Sequence, residues 1–246
     1  FFVKHWVDLR VKKIILNIII IFKSSSMIIA QNWEQSFIAG GFDADGLFMG
    51  GSEVLHLVDH KNKLFAAVGY WQDENNIWYG GNDLNVGWGQ ILCLESEDDS
   101  WAVDFDLGYN FLRPEIIKQV IFTKDYSGVP LNIPDTLLIV GAYSPNYISG
   151  TVSANIFVRD DLNSTWEQIL VYESDFSSNE SYSMRDIEIH TDQVTGIEKL
   201  IISVGTQGIF SGEYNLNVDG KIEIGAIPEI GALGIRPLGI TIANNI

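Results

Sequence analysis

The stretch KLFAAVG, Lys63–Gly69, decides the fold because two similar runs follow it along the chain. They are TLLIVGA, Thr136–Ala142, and KLIISVG, Lys199–Gly205. Each run is almost entirely apolar and ends at a glycine or one residue beyond it. A strand with one solvated face alternates polar and apolar residues, so we expect these strands to be covered on both faces by neighbouring sheets.

Each apolar run is the second of four predicted strands. In the first copy an alternating strand, SEVLHLVDH, leads through a polar turn into KLFAAVG, and GQILCLE and WAVDFDL follow. The second copy continues with GTVSANIFVR and WEQILVY, and the third with GIFSGEYN and, after a turn at Gly220, KIEIGAI. A fourth copy begins at IRPLGITIANN, Ile235–Asn245. Period-two alternation interrupted by polar turns predicts antiparallel hairpins throughout.

The link between the third and fourth strands has the same cadence in two copies. It reads LESEDDSWAVD over Leu94–Asp104 and VRDDLNSTWEQ over Val158–Gln168. Aspartates at such a link cap a tight turn through the neighbouring backbone. We expect the tryptophan to pack between two sheets, where its buried area contributes about 2–3 kcal/mol or more.

Four strands per copy at intervals of about sixty residues are typical of a β-propeller blade. Residues 50–246 resemble β-propeller repeat proteins in general, although stacked β-sandwiches remain an alternative for the same pattern. The predicted class is all-β, a segment of four-stranded antiparallel blades with three copies and the start of a fourth. Because three copies do not close a ring, we expect the propeller-like domain, residues 31–246, to be incomplete at its C-terminal end.

One turn resembles the Asp-box of sialidase-type propellers, Ser-x-Asp-x-Gly-x-Thr-Trp. Asp161, Thr165 and Trp166 match this box, Asn163 stands at the left-handed glycine, and Arg159 stands at the serine. The resemblance implies a structural turn within a blade and implies no activity.

The first thirty residues have the pattern of a secretory signal peptide. A basic pair precedes nine mostly apolar positions, residues 14–22, and Ala30 offers a cleavage position. Nine positions are too few to span a bilayer, so no membrane span is expected in the mature chain, with an uncleaved anchor as the alternative. Residues 1–10 also read as translated upstream sequence, and a start at Met27 would remove the signal. We expect a secreted, periplasmic or extracellular protein.

Charge excludes one class of partner. The formal net charge of −17 repels phosphate backbones, so nucleic acid is not expected to bind. The single cysteine, Cys93, lies in an apolar run and is expected to be a buried, inert thiol.

Three arginines stand at matching places, each before the strand that begins a copy. They are Arg113, Arg185 and Arg236, and Glu53 holds this place in the first copy. Guanidinium groups bind carboxylates through two parallel hydrogen bonds, so these side chains are candidates for ligand recognition at one mouth of a central channel. The alternative is that each arginine pairs with an acid on the neighbouring blade.

Two further sets of polar residues are candidates for chemistry. Glu53 and His56 could act as a general acid–base pair, with a satisfied, partly buried histidine as the alternative. Asp43 and Asp45 precede Gly46 as in half of a calcium loop, and a plain turn is the alternative. No other cofactor or metal is expected.

The link between the second and third strands of the first copy is rich in aromatic residues. It reads GYWQDENNIWYGGNDLNVGWG and contains Trp71, Trp78, Tyr79 and Trp88. Aromatic faces beside Asn and Asp suit sugar rings or a protein partner, whereas the alternative is that they cover blade edges. The sequence therefore predicts a binding module for a glycan or protein ligand. A glycoside hydrolase or lyase acting on acidic sugars, and a structural repeat of a larger surface protein, are the alternatives.

Overall fold

A computed structural model describes residues 35–70, 89–108, 111–146, 149–232 and 234–243, with the side chains of Pro145 and Asn146 excepted. The chain divides into two compact units, residues 1–36 and 37–246, and the sheets belong to the second. The predicted signal peptide and the boundary at residue 31 lie outside the described residues. Among the described residues, no helix has the length and apolar character needed to cross a bilayer.

Three four-stranded antiparallel sheets follow one another along the chain, and strands of each sheet pair in sequence order. The first sheet contains β3 (Glu53–His60), β4 (Lys63–Gly69), β5 (Gln90–Leu94) and β6 (Ala102–Asp106). The second contains β7 (Ile116–Lys124), β8 (Pro130–Asn146), β9 (Thr151–Asp160) and β10 (Thr165–Asp175). The third contains β11 (Met184–Thr191), β12 (Glu198–Val204), β13 (Gly208–Tyr214) and β14 (Ile222–Ile224), with a short 3₁₀ helix over Asp219–Lys221. A two-stranded hairpin, β1 (Gly41–Phe42) and β2 (Phe48–Met49), precedes them.

The sheets succeed one another as propeller blades. The first strands are in contact in sequence order, β3 with β7 and β7 with β11. The fold is therefore all-β, a segment of β-propeller made of four-stranded antiparallel blades, and the segment is not closed. This confirms the fold class that the sequence predicts.

The apolar run of β8 is buried on both faces because successive side chains of a strand point to opposite sides, whereas β12 alternates buried and partly buried residues along part of its length. In β8, Leu138 and Val140 join a core with Phe65, Ile91 and Phe157 between the first and second sheets. Leu137 and Ile139 point the other way and join a core between the second and third sheets, with Phe122, Leu200, Ile202 and Phe210. A strand between two sheets needs apolar residues at every position, which is the pattern of TLLIVGA.

The glycine that ends an apolar run leaves room for the chain that enters the next sheet. A Cβ atom on Gly69 would lie 2.3 Å from the Cβ of Arg113, and one on Gly141 would lie 2.6 Å from the sulfur of Met184. Both distances are below normal contact, so any side chain at these positions would push the two sheets apart. Gly205 has a different reason, since its φ is +46° and a Cβ would meet the carbonyl oxygen of Ser181 at 2.0 Å.

Chain outside the three sheets lies against the first sheet and along one edge of the third. We call residues 37–52 the N-terminal strap, which lies on the first sheet, where Phe37 and Met49 pack beside Trp101. We call residues 225–243 the C-terminal strap, apart from Leu233, which is not described. Ile230 pairs with Ile209 of β13, and Glu229 accepts hydrogen bonds from Ser211 and Lys199.

The predicted fourth copy begins within the C-terminal strap. Residues 234–243 contain no strand, but the backbone N–H of Ile240 donates to Oδ2 of Asp186 at 2.9 Å, which brings this segment beside β11. The chain thus leaves the third sheet at the position where a further first strand would lie.

The reactivity of Cys93, which lies in β5, tests whether this strand is buried. The thiol is buried, and burial, with the negative charges of Asp104 and Glu95, raises its pKa to about 12. Because the thiolate is the reactive form, we expect native protein at pH 8 to show almost no reaction with an aromatic disulfide reagent, and full reaction in denaturant. Reaction of the native thiol at the rate of free cysteine would contradict the burial of β5.

Candidate functional site

The predicted site residues gather where the first strands begin. We call this the entry edge, and it consists of Glu53 at the start of β3, residues 113–115 before β7, and Arg185 and Asp186 in β11. Because the three first strands run side by side in the same sense, their N-terminal ends lie at one end of the segment. The fold therefore puts the candidates Glu53, Arg113 and Arg185 at the same end of their sheets.

Arg113 is held by an acid of its own segment. Its Nε donates to Oε1 of Glu115 at 2.9 Å, and the side chain of Glu115 is only 2% exposed. His56 reaches the same place from β3, because its Nε2 lies 3.0 Å from the carbonyl oxygen of Glu115. The described ion-pair partner of this arginine therefore stands in its own segment, two residues away, and a pair with an acid on the neighbouring blade stays a prediction. Sequence reasoning missed Glu115, although an acid just before an apolar strand is a detectable signal.

Glu53 and Arg185 each carry a buried polar atom without a hydrogen bond. These atoms are Oε1 of Glu53 and Nε of Arg185, and neither has a partner among the described residues. Both residues are partly exposed overall, although these two atoms are themselves buried. Within the described contacts Glu53 and His56 are not bonded to each other, and their use as an acid–base pair stays a prediction.

Arg236 differs from the other two arginines. It lies in the C-terminal strap and is exposed. The three arginines stand at equivalent places in the sequence, but their surroundings differ. Arg113 forms an ion pair, Arg185 has a buried N–H without a partner, and Arg236 is exposed.

A further cation, Lys118, lies beside the entry edge and was not singled out from the sequence. Lys118 of β7 donates to Oδ1 of Asp186 at 3.1 Å and also to Glu188, both in β11. Burial alone would lower the pKa of Lys118, but the two carboxylates outweigh it and raise the pKa. This triad links adjacent first strands. Charged residues inside otherwise apolar first strands, as in EIIKQV and RDIEIH, are the signal that could have found it.

The aromatic candidates Trp71, Trp78, Tyr79 and Trp88 lie outside the described residues. The two ends of their loop are described, and both bond to the segment that carries Arg113. Tyr70 N–H donates to the carbonyl oxygen of Leu112 at 3.3 Å, and Gly89 N–H donates to that of Phe111 at 3.2 Å. The loop thus leaves and re-enters the first sheet at the entry edge.

The Asp-box-like turn is built differently from the expectation. Asp160 is the capping residue, because its Oδ1 accepts the N–H of Leu162 at 2.9 Å and its Oδ2 accepts the Asn163 amide at 2.6 Å. The left-handed residue is Ser164, with φ +52°, and not Asn163. The turn therefore has its left-handed residue one position after Asn163, and the resemblance to an Asp-box stays a prediction.

Asp161 faces away from the turn and joins a buried polar network between the first and second sheets. It accepts hydrogen bonds from Arg159 at 2.6 Å and Lys61 at 2.7 Å, and His60 Nε2 lies 2.9 Å from Oδ2. Burial alone would raise the pKa of Asp161, but these three partners outweigh it and lower the pKa to about 2.

Arg159 is the centre of this network. It donates Nε and Nη2 to the two oxygens of Asp104 at 2.9 and 2.7 Å, and the indole N–H of Trp166 donates to the same carboxylate at 2.7 Å. The Asp104 hydrogen bonds, more than the opposing burial, raise the pKa of Arg159. The ring of Trp166 stacks on Phe105 with centroids 5.3 Å apart, so the predicted packing of this tryptophan between sheets is confirmed.

The Asp43 carboxylate holds the turn of the β1–β2 hairpin and connects it to β6. Oδ1 of Asp43 accepts the N–H groups of Asp45 and Leu47, and Oδ2 accepts the N–H of Val103 in β6. Burial would raise the pKa of Asp43, but the backbone donors lower it. Among the described residues, no group of three or more His, Cys, Asp or Glu side chains could hold a metal ion. Calcium at Asp43 and Asp45 stays a prediction.

One cavity of about 290 Å³ lies away from the entry edge, between the β9–β10 turn and the 3₁₀ helix. Its cations are already paired, since Arg159 binds Asp104 and Lys221 Nζ lies 2.6 Å from Asp135.

Comparison with known proteins adds no assignment to this geometry. No protein-family model matches the chain, and no curated protein sequence matches it.

Proposed function

We propose that this chain is a secreted β-propeller binding module that holds a glycan or protein ligand at the entry edge. The observation that carries the proposal is the pair of buried, unbonded polar atoms, Oε1 of Glu53 and Nε of Arg185. A buried polar group without a partner costs about 1–3 kcal/mol, and a ligand that supplies the partner removes that cost. One atom is an acceptor and the other a donor, so hydroxyl groups, which act as both, suit them.

The aromatic loop supports a ligand at this place. Its ends are fixed to Leu112 and Phe111, beside Arg113. The loop supplies three tryptophans and a tyrosine at residues 71, 78, 79 and 88. Aromatic side chains of this kind present apolar faces to sugar rings and carry a polar handle, and they are also enriched at protein interfaces.

The charges favour hydroxyl-bearing ligands over a cluster of carboxylates. Arg113 already binds Glu115, and Lys118 binds Asp186 and Glu188, so Arg185 is the cation with a free buried donor there. A hydrolase or lyase that clamps acidic sugars would need more unpaired guanidinium groups. Secretion rests on the N-terminal pattern, and export of a reporter fused after residue 30 would test it separately.

The binding proposal predicts that two substitutions at the entry edge lower the affinity for the ligand, whereas two matched control substitutions leave it unchanged. We expect a panel of neutral and uronic-acid oligosaccharides to contain members that change the tryptophan fluorescence of the protein without being cleaved. Glu53→Gln and Arg185→Gln should each weaken such binding about tenfold or more, because the first removes the negative charge that strengthens the bond to the acceptor oxygen and the second removes the guanidinium donor.

Glu95→Gln and Lys63→Gln are the controls. These residues form an ion pair of 2.6 Å at the opposite end of the first sheet, and their loss should leave affinity unchanged. Equal losses in all four variants would contradict a site at the entry edge. Release of shortened sugars would favour the enzyme instead. If no oligosaccharide binds, the glycan ligand is excluded and the protein ligand remains.

A further inference from the structure

The two unbonded polar atoms of the entry edge belong to different sheets. Glu53 begins β3 of the first sheet, and Arg185 is the second residue of β11 in the third. The first strand of the second sheet, β7, lies between them, because β3 contacts β7 and β7 contacts β11. A single ligand that bonds to both atoms therefore has to extend across the beginning of the second sheet.

Contacts around the start of β7 establish the order of these groups. Glu53 pairs with Gly69, and a Cβ atom on Gly69 would lie 2.3 Å from the Cβ of Arg113. On the other side of β7, Lys118 donates at 3.1 Å to the aspartate that follows Arg185 in β11. Glu53 and Arg185 therefore flank the segment from Arg113 to Lys118 on opposite sides.

The polar groups of this middle segment are already bonded. Arg113 forms an ion pair with Glu115, whose carbonyl oxygen lies 3.0 Å from Nε2 of His56. Lys118 binds two carboxylates of β11. A ligand would have to displace charge-assisted hydrogen bonds there, whereas it gains a hydrogen bond at either flank without breaking one. The entry edge thus has an unbonded acceptor at one flank, an unbonded donor at the other, and paired charges between them.

We propose that the ligand of the entry edge is an elongated oligosaccharide that lies across the start of the second sheet, with one sugar unit bonded to Glu53 and a different unit bonded to Arg185. This assignment of the ligand rests on the binding function proposed above. Both free atoms are buried, but the two residues are partly exposed, so rotation of either side chain into another staggered rotamer can turn its free atom outwards. Hydroxyl groups recur along an oligosaccharide and act as donors and as acceptors, so one chain of sugars serves both flanks.

The dependence of affinity on ligand length tests this arrangement. The probes are the neutral and uronic-acid oligosaccharides that change the tryptophan fluorescence, each compared with its own fragments down to the single sugar by calorimetry. We expect the affinity to rise about tenfold or more at the length that reaches both flanks, because the second hydrogen bond then forms within one complex. Further sugar units should add little.

Two substitutions separate the flanks. Glu53→Gln and Arg185→Gln should each weaken the long oligosaccharide about tenfold, and their effects on the free energy of binding should add, because the two contacts are made at separate places. The single sugar should respond to one substitution and not to the other. Arg185→Lys, which keeps the charge but lacks the Nε donor, replaces Arg185→Gln if that variant does not fold. Glu95→Gln, at the opposite end of the first sheet, is the control for the loss of one negative charge.

Two results would overturn this assignment and leave the binding function standing. One is a single sugar whose binding both substitutions weaken, which puts both side chains on the same unit. The other is an affinity that stays constant from the single sugar to the long oligosaccharide although the entry-edge variants still weaken it. Failure of the proposed function looks different. If no oligosaccharide binds, or if neither substitution changes the affinity, the glycan site itself is excluded, and this inference with it.

Discussion

Replacement of Arg159 by methionine should lower the free energy of unfolding by about 3–5 kcal/mol. The arginine side chain is 3% exposed and that of its partner Asp104 is 9% exposed, so the substitution leaves a carboxylate buried without its cation. It also removes the Nη1 hydrogen bond to Asp161 and the contact of the guanidinium with the ring of Phe65. Urea unfolding followed by tryptophan fluorescence measures the change.

Lys61→Met is the control within the same network. Lys61 binds Asp161, but its side chain is 49% exposed, and an exposed ion pair contributes about 0–1 kcal/mol. A cycle with Asp104→Leu separates the pair from the packing, since the double variant has no buried charge left at this position and should be more stable than Arg159→Met alone. If Arg159→Met and Lys61→Met cost the same, the network is solvated and the two sheets are not joined through it.

Replacement of Phe157 by alanine should cost a similar amount, about 3–5 kcal/mol. Phe157 lies in β9, is 2% exposed, and contacts Phe105 of the first sheet at 5.3 Å and Phe111 at 5.2 Å between ring centroids. Its removal leaves a cavity between two sheets that are held apart by their other side chains, so the surroundings relax only partly. The measurement is the midpoint of urea unfolding at constant m-value.

Leu170→Ala tests whether this cost reflects burial between sheets. Leu170 lies in the neighbouring strand β10 and is 52% exposed, so its truncation should change stability far less. A cost at Leu170 equal to that at Phe157 would mean that the outer strand, and not the space between the sheets, carries the apolar packing.

The strands were predictable because burial on two faces leaves a direct trace in the sequence. KLFAAVG, TLLIVGA and KLIISVG are almost entirely apolar, and they form β4, the centre of β8, and β12. The hairpin at His60–Lys63 was predictable for a local reason, since Lys61 and Asn62 take left-handed conformations between paired strands.

The polar network was not predictable in the same way. His60 and Asp161 are 101 residues apart, and Arg159 and Asp104 are 55 apart. These contacts depend on how the first and second sheets are rotated relative to each other, which cannot be inferred from a local sequence pattern. The conformation of the Asp-box-like turn was not predictable for a local reason. Asp160 and Asp161 are adjacent acids, and the sequence does not indicate which of them caps the turn.

The repeat predicts where the candidate residues stand along the chain but not which bonds they make. Glu53 begins β3, Arg113 precedes β7, and Arg185 lies at the start of β11. Whether each side chain is bonded depends on neighbours such as Glu115, whose burial follows from packing against the adjacent sheet. The binding role of these residues and of the aromatic loop stays a prediction.

The reach of Arg159 across 55 residues has a consequence for synthesis of the chain. At translation rates of about 5–20 residues per second, Asp104 leaves the peptidyl transfer centre roughly 3–11 s before its arginine is made. In the nascent chain the first sheet therefore has the Asp104 carboxylate without its cation. The apolar face that later packs against the second sheet is still exposed to water. This face of the first sheet is buried only when the second sheet has been made and packs against it. We therefore expect the sheets to reach their final packing in the order in which they are translated.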